Sequence, residues 1–312
     1  MLDAASKAFF HTIASSRALK RLASRYGFRP SGGFARRFIA GEDVGQALEA
    51  TRVLQASGML ITLDHLGESV SSSAEADAAT RTYLSLIDRI VAAGVERNIS
   101  LKLTQLGLSI DRATCLDNLR RVLDLSGPHG FFVRLDMENS PFTEVTLDIF
   151  ETLWGLGYHH AGVALQSMLL RSDEDVRRVN RLGARVRLIK GAYNESRAVA
   201  YHRKADVDAA FVRMMQALLT EGVYPALATH DVKMIEATKQ FAAERGIGKD
   251  RYEFQMLYGI RRDLQTQLVA DGYRMRVYVP FGREWFPYFM RRLGERPANV
   301  GFVLKGILRD RA

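Results

Sequence analysis

Apolar and polar positions alternate over short runs that recur along the chain. They fall at residues 59–66 (MLITLDHL), 99–106 (ISLKLTQL), 131–137 (FFVRLDM), 161–168 (AGVALQSM), 184–189 (ARVRLI), 225–230 (PALATH), 252–257 (YEFQML) and 276–279 (RVYV). Period-two spacing rich in β-branched and aromatic residues predicts a strand at each. Between the runs the apolar spacing lengthens to the helical period, over residues 76–95, 115–125, 145–156, 173–182, 207–219 and 232–245. Eight strands alternating with helices predict an α/β chain folded as a (β/α)8 barrel. A further helix over residues 45–56 precedes the first strand. After the last strand Pro280 and Gly282 stop the run, and helical spacing resumes from Trp285 to Leu293. The rival architecture is a doubly wound open sheet. It is weakened by the lack of a G-x-G-x-x-G loop after any early strand. The expected division is an N-terminal arm, residues 1–56, packed on a barrel of residues 57–312.

A barrel places its site at the C-terminal ends of its strands, and polar residues collect there. In strand order they are Asp64 with Glu68, Lys102, Asp136, Gln166, Arg187 with Lys190, Thr229 with His230, Gln255, and Tyr278. Lys102 and Lys190 each end an apolar strand, so either could form a Schiff base if desolvation released its amine. Aldolase-like lysine chemistry is the alternative this raises; the plainer role for either lysine is an ion pair with a carboxylate such as Asp136. The plain role for His230 is a half-buried ring bonded to a backbone carbonyl. Asp136, His230 and Asp231 lack the compact spacing of a metal site, and none is expected. Arg291 and Arg292 end the last helix with Glu295 one turn beyond Arg291, so a carboxylate can brace one guanidinium while two forks face a small acid. Taken alone, that pair reads as a solvated basic helix end.

Length and composition fit one large barrel or two ordinary domains: 312 residues, 47% of them hydrophobic. A single cysteine, Cys115, excludes an intramolecular disulfide and a thiolate-built metal site, and suits a reducing compartment. No apolar run approaches the about 20 residues that span a bilayer. The first thirteen residues are interrupted by Asp3, Lys7 and His11 where a secretory core is apolar. The net charge of +9 is concentrated at the start, because residues 1–37 hold eight lysines and arginines against Asp3 alone. Such an arm could touch an anionic membrane or resemble a transit peptide. The plainest expectation is a helical layer packed through Ala5, Phe9 and Ile13. No nucleic-acid motif accompanies the charge, and no nucleic-acid partner is expected.

Several segments together carry a resemblance that covers nearly the whole chain. VRLDMENS (133–140), VALQSMLLRS (163–172), VRLIKGAYNE (186–195), LATHD (227–231), YEFQMLYGIRRDL (252–264) and RVYVPFGREWFPYFMRRLGE (276–295) resemble the proline dehydrogenases in their short, monofunctional bacterial form. RFIAGEDV (37–44) and the arm resemble that family's N-terminal helices, which argues against a cleaved transit peptide. The resemblance implies a distorted (β/α)8 barrel with extra N-terminal helices that holds FAD without a covalent bond. It implies oxidation of L-proline to 1-pyrroline-5-carboxylate, with electrons passed to a membrane quinone. Arg291 and Arg292 would clamp the proline carboxylate and Lys102 would add a third positive charge. Tyr278 would sit beside the ring, where the family's tyrosine goes with preference for proline over hydroxyproline, and Tyr288 would pack on it. Asp136 would hold the basic groups, Glu295 would brace Arg291, and Glu68 would pair with Arg291 to close the site.

For the flavin, the resemblance implies contacts from Gln166, Arg187 and the segment Lys190, Gly191, Ala192 and Tyr193, then from Thr229, His230, Gln255 and Leu257. Arg187 would stabilise negative charge growing on the isoalloxazine. Met168 and Asn194 depart from the residues usual in larger members. The chain is expected to lack the partner dehydrogenase domain of bifunctional relatives. A cytoplasmic place is expected, with peripheral contact at the inner face of the membrane through the basic arm.

Overall fold

The computed structural model describes residues 34–67 and 69–295; in the last helix the side chains of Arg291, Leu293, Gly294 and Glu295 lie outside that description. The expected arm contacts at Ala5, Phe9 and Ile13, and the side chain of Glu68, also fall outside it.

Eight parallel strands close into a barrel in sequence order: β1 Leu60–His65, β2 Asn98–Leu101, β3 Phe132–Leu135, β4 Ala161–Gln166, β5 Arg185–Ile189, β6 Ala226–Ala228, β7 Glu253–Leu257 and β8 Met275–Phe281. Closure is made by β1 against β8, in register from Leu60 opposite Arg276 to His65 opposite Phe281. The expected (β/α)8 barrel is the fold observed, and the open sheet is excluded.

Each strand sends alternate side chains to opposite faces. Ile61, Leu63, Ile99, Leu101, Val133, Leu135, Val163, Leu165, Val186 and Leu188 are buried in one apolar cluster with helix residues such as Tyr83, Leu86, Ile90, Leu119, Leu123 and Phe150. Each such side chain contributes about 1.5–3 kcal/mol by leaving water. The helices that cover the strands start at side-chain caps. Asp43 accepts from Gln46 N–H, Ser72 from Glu75 N–H, and Asp111 from Thr114 N–H, each cap being worth about 1 kcal/mol.

The inward face is unlike that of most barrels, whose layers are branched aliphatic side chains. Here Arg134, Glu253, Arg276, Ser100, Arg187 and Gln255 are all buried. Bonds between non-adjacent strands show that these side chains cross the interior, for example Arg187 to Ser100 at 2.9 Å. Gly162 makes room for them, since a Cβ there would lie 2.7 Å from the Phe132 ring and 2.8 Å from an Arg134 guanidinium nitrogen.

Two expected strands are shorter than the apolar pattern suggested. The run over 99–106 pairs as a strand only to Leu101, Lys102 stays extended beyond it, and Leu103–Leu106 forms a 3-10 turn. The cause lies in another loop. The buried Glu138 carboxylate accepts both the backbone N–H of Thr104, at 3.0 Å, and its hydroxyl, and so pulls the chain out of the ladder. The run over 225–230 is a strand only at Ala226–Ala228. The helices Ser73–Ala93, Arg112–Ser126, Thr143–Gly155, Ser172–Leu182, Lys204–Glu221 and Val232–Glu244 occupy the expected gaps, and Arg262–Ala270 fills the one before β8. The last helix, Trp285–Glu295, leans over the mouth of the barrel, where Trp285, Phe286, Tyr288 and Phe289 cluster with Ala35, Phe38 and Ile39.

Candidate active site

A cavity of ≈ 390 Å³ opens at the C-terminal mouth of the barrel. Lys102, Asp136, Gln166, Arg187, Gln255 and Tyr278 enter it from strand ends, and Lys190, Gly191, Ala192, Tyr193, Thr229, His230 and Leu257 from the loops or strand edge above. Tyr288 and Arg292 close it from the last helix. The described residues that the sequence assigns to substrate or flavin therefore line one space, whereas Asp64 lies beneath it, fully buried against Lys102. Arg291 and Glu295 lie on that same helix, with side chains outside the described set.

Asp136 organises the floor. Its carboxylate accepts from an Arg187 guanidinium nitrogen at 2.6 Å and from the Tyr278 hydroxyl at 2.7 Å, with the Lys102 ammonium 3.7 Å away. Arg187 also stacks on the Tyr278 ring, 5.3 Å from its centre, a cation–π contact in a desolvated setting. Burial, with Asp136 and Asp64 nearby, pushes the Tyr278 phenol well above its ordinary value, so it stays a hydrogen-bond donor. Lys102 sits between Asp136 and Asp64, which is fully buried and 3.5 Å from the ammonium. Burial raises the Asp64 carboxyl against the pull of Lys102. One of its oxygens has no hydrogen-bond partner among the described residues.

On the other wall, Lys190 donates to Asp208 at 2.5 Å and Asp231 at 2.7 Å. Burial opposes ionisation of Asp231, yet Lys190 and Lys204 hold its carboxyl down at about 2. Gly191 adopts φ +109°, and a Cβ there would run into the Met168 sulfur, so backbone is presented where any side chain would be strained. Gln166 donates its amide nitrogen to the Glu138 carbonyl at 2.8 Å. That leaves its buried amide oxygen with no partner among the described residues. His230 is fixed by the neighbouring strand. Its Nε2 accepts the Leu257 backbone N–H at 3.0 Å, a partner the sequence did not suggest, which places the ring proton on Nδ1. Arg292 holds its guanidinium 5.3 Å from the Tyr288 ring centre, and Tyr288 is itself buried in the aromatic cluster of the last helix.

A Schiff-base lysine is made nucleophilic by an apolar pocket or a neighbouring cation, and both candidates instead stand between carboxylates that hold the ammonium charged. Lys102 lies between Asp64 and Asp136, Lys190 between Asp208 and Asp231. The lysine-dependent alternative is set aside. Cavity residues that sequence reasoning did not assign to the site include Met137, Ala164, Ile189, Ala228 and Met256. Ala164 and Ala228 carry a weak signal, as small inward residues near strand ends.

Comparison with known proteins gives a consistent result. Residues 47–305 match the family model described as proline dehydrogenase. The chain is 40% identical over 299 residues to proline dehydrogenase 2 of Bacillus subtilis strain 168, covering 96% of this chain and 97% of that protein. It is 44% identical over 279 residues to a proline dehydrogenase of Deinococcus radiodurans, covering 88% and 90%. Among solved structures, proline utilization A of Bdellovibrio bacteriovorus, inactivated by N-propargylglycine, matches with a TM-score of 0.79 and 29% identity over 84% of this chain. The matched region is 32% of that longer protein, so the chain spans about a third of its length.

Proposed function

The chain belongs to the proline dehydrogenase family of oxidoreductases, and we propose that its cavity binds FAD beside L-proline and oxidises the proline to 1-pyrroline-5-carboxylate. Electrons then pass to a membrane quinone, in the first step of proline catabolism to glutamate. One observation carries the reading: all fifteen described residues that the family resemblance implies line the same ≈ 390 Å³ space.

The residues present fit a flavin. Gln166 offers a buried amide oxygen that no described group uses, Gly191 offers bare backbone, and His230 has its ring oriented by the Leu257 N–H at Nε2. Gln166, Arg187, the 190–193 segment, Thr229, His230, Gln255 and Leu257 would hold it. When bound, FAD supplies the two-electron acceptor for a hydride leaving the substrate ring carbon next to nitrogen.

The chain's own groups bind and orient. Arg292 with Arg291 forms the carboxylate clamp, since paired guanidinium forks fix a small rigid acid better than one ammonium. The Lys102 ammonium, 3.5 Å and 3.7 Å from its two aspartates, sits at the long end of ion pairing and can turn toward a third anion. Asp136 ties Arg187 and Tyr278 together, at 2.6 Å and 2.7 Å, and so positions both at the cavity floor. Three cations around the carboxylate favour loss of the substrate's ammonium proton, which must go before a hydride can leave. Glu68 pairs with Arg291 to shut the site against water, and Glu295 braces the same arginine. Residues 1–56 serve as an arm on the barrel, 57–312, and bring it to an anionic bilayer at the inner face of the cell membrane. No helix among the described residues is long and apolar enough to cross that bilayer.

A visible spectrum of the purified protein tests the reading. A yellow protein bleached by L-proline is expected. A colourless one trapped by borohydride with a carbonyl substrate, or one showing only salt-sensitive nucleic-acid binding, overturns it. Deleting residues 1–37 is expected to weaken liposome binding and quinone turnover; unchanged values remove the arm from the account.

A further inference from the structure

Beneath the cavity floor lies a carboxylate that no step above uses. Glu253 is 2% exposed and sits on β7 two residues before Gln255, so both side chains enter the barrel one layer apart. The Gln255 amide nitrogen donates to Glu253 Oε1 at 2.5 Å, while the Gln255 amide oxygen accepts Arg187 Nε–H at 2.6 Å. Arg187 in turn reaches Asp136 and Ser100. We propose that Glu253 is a positioning residue: it takes the Gln255 amide N–H, turns the amide oxygen onto Arg187, and so fixes the guanidinium at the cavity floor.

A glutamine amide is nearly symmetric in shape, and its neighbours decide which end points where. Arg187 Nε–H can only donate, and an ionised carboxylate can only accept. With both in place a single orientation satisfies the amide. Glu253 remains ionised despite burial, because Arg276 more than offsets the desolvation and holds its carboxyl below the usual range. It is also immobile: Arg276 grips it with bonds of 2.7 Å and 3.0 Å, and the Tyr224 hydroxyl reaches it at 3.1 Å. The column does not carry protons, since a carboxamide does not readily give one up and take another. What it transmits is orientation.

Glu96 provides the contrast needed for a test. It binds the same Arg276 at 2.5 Å, but its other carboxylate oxygen accepts the Ile61 backbone N–H on β1, on the side of the barrel away from β7. In the purified full-length chain, Glu253→Gln and Gln255→Met are expected to speed hydrogen exchange at Arg187 Nε–H, read by 1H–15N NMR, by about tenfold. Both are expected to lower kcat/KM for proline by about tenfold, mainly through kcat, and to move the potential of the bound flavin. Glu96→Gln is expected to lower Tm while leaving the Arg187 signal and kcat/KM within about twofold of the parent. Equal effects of Glu253→Gln and Glu96→Gln on all these readouts overturn the proposal, leaving Glu253 a structural ion. If Glu253→Gln does not fold, Gln255→Met decides, because it cuts the relay and keeps the Glu253–Arg276 pair; an unmoved Arg187 signal then refutes the proposal. The kinetic and potential readouts rest on the function proposed above, whereas the Arg187 signal does not. A wild-type protein without flavin or proline turnover would thus refute that function and leave the relay tested on its own.

Discussion

The lower and upper layers of the barrel's interior hold the same types of side chain and use them differently. Below, Arg276 is tied to Glu253 and Glu96 at 2.7 Å and 2.5 Å, and Arg134 donates to the carbonyls of Val163 and Arg185 at 3.1 Å and 2.6 Å. Burial, with Arg187 and Arg276 nearby, pushes the Arg134 guanidinium well down from its ordinary value. Above, Lys102 stands at 3.5 Å and 3.7 Å from its aspartates, and Arg292 and Tyr278 face open volume. Below, every charge is matched to another protein group away from the cavity; above, Asp136 binds Arg187 and Tyr278 at 2.6 Å and 2.7 Å, and the same side chains line the open space. A buried ion pair is weak evidence for net stability, but removing one member of it costs a great deal.

The largest effect is therefore expected below. Arg276→Met leaves Glu253 buried beside an apolar side chain and should lower unfolding free energy by about 3–5 kcal/mol in urea denaturation. A loss under about 1 kcal/mol would mean that the lower layer is not tightly matched. The pH dependence sharpens this. Because Arg276 depresses the Glu253 carboxyl, the stability it contributes is fully present above the ordinary glutamate range and is lost as pH falls through the depressed value. In Arg276→Met the acid-unfolding midpoint should rise.

Next in size is Asp136→Asn, in the upper layer. About a hundredfold loss of kcat/KM for proline is expected, with Tm changed by only a few degrees, because the group faces the cavity and holds three partners for function. A collapse in Tm with little change in kcat/KM per folded molecule would reverse the comparison. Gly162→Ala is expected to cost about 1–3 kcal/mol of stability. Its Cβ would press on Phe132, Arg134 and, at 2.6 Å, the backbone oxygen of Arg185, which has little room to give.

The comparison also explains what the sequence made legible. Parallel strands buried on both faces usually read as continuous apolar runs, with no telltale alternation. Here SLKL, VRLD, VRLI, EFQM and RVYV alternate because the inner face is charged, so Lys102, Asp136, Arg187, Gln255 and Tyr278 announced both the strands and the side that faces inward. The pairing of the lower layer was not legible. Arg276 finds Glu96 across 180 residues of chain, and nothing local tells it from an arginine on a wet surface. The turn at Leu103–Leu106 was hidden for a similar reason, because its apolar spacing matches a strand and the carboxylate that bends it comes from Glu138, 34 residues on. The tautomer of His230 depended on a backbone N–H in the next strand.

The smallest effect should come from Tyr278→Phe, which tests how finely the upper layer is tuned. The substitution removes one hydroxyl that donates to Asp136 at 2.7 Å and keeps the ring on which Arg187 stacks. Asp136 retains Arg187 and Lys102, so no buried charge is stranded, and a single hydrogen bond to a carboxylate is worth about 1.5–3 kcal/mol at most. A loss in kcat/KM of about five- to tenfold is expected, with Tm little changed. The shape of the pH–rate profile should not change, because burial and the neighbouring aspartates keep the phenol protonated far above its ordinary range. A profile that lost a limb in Tyr278→Phe would mean that this hydroxyl exchanges a proton during turnover. Its bond to Asp136 would then belong to the chemistry rather than to the positioning of Arg187.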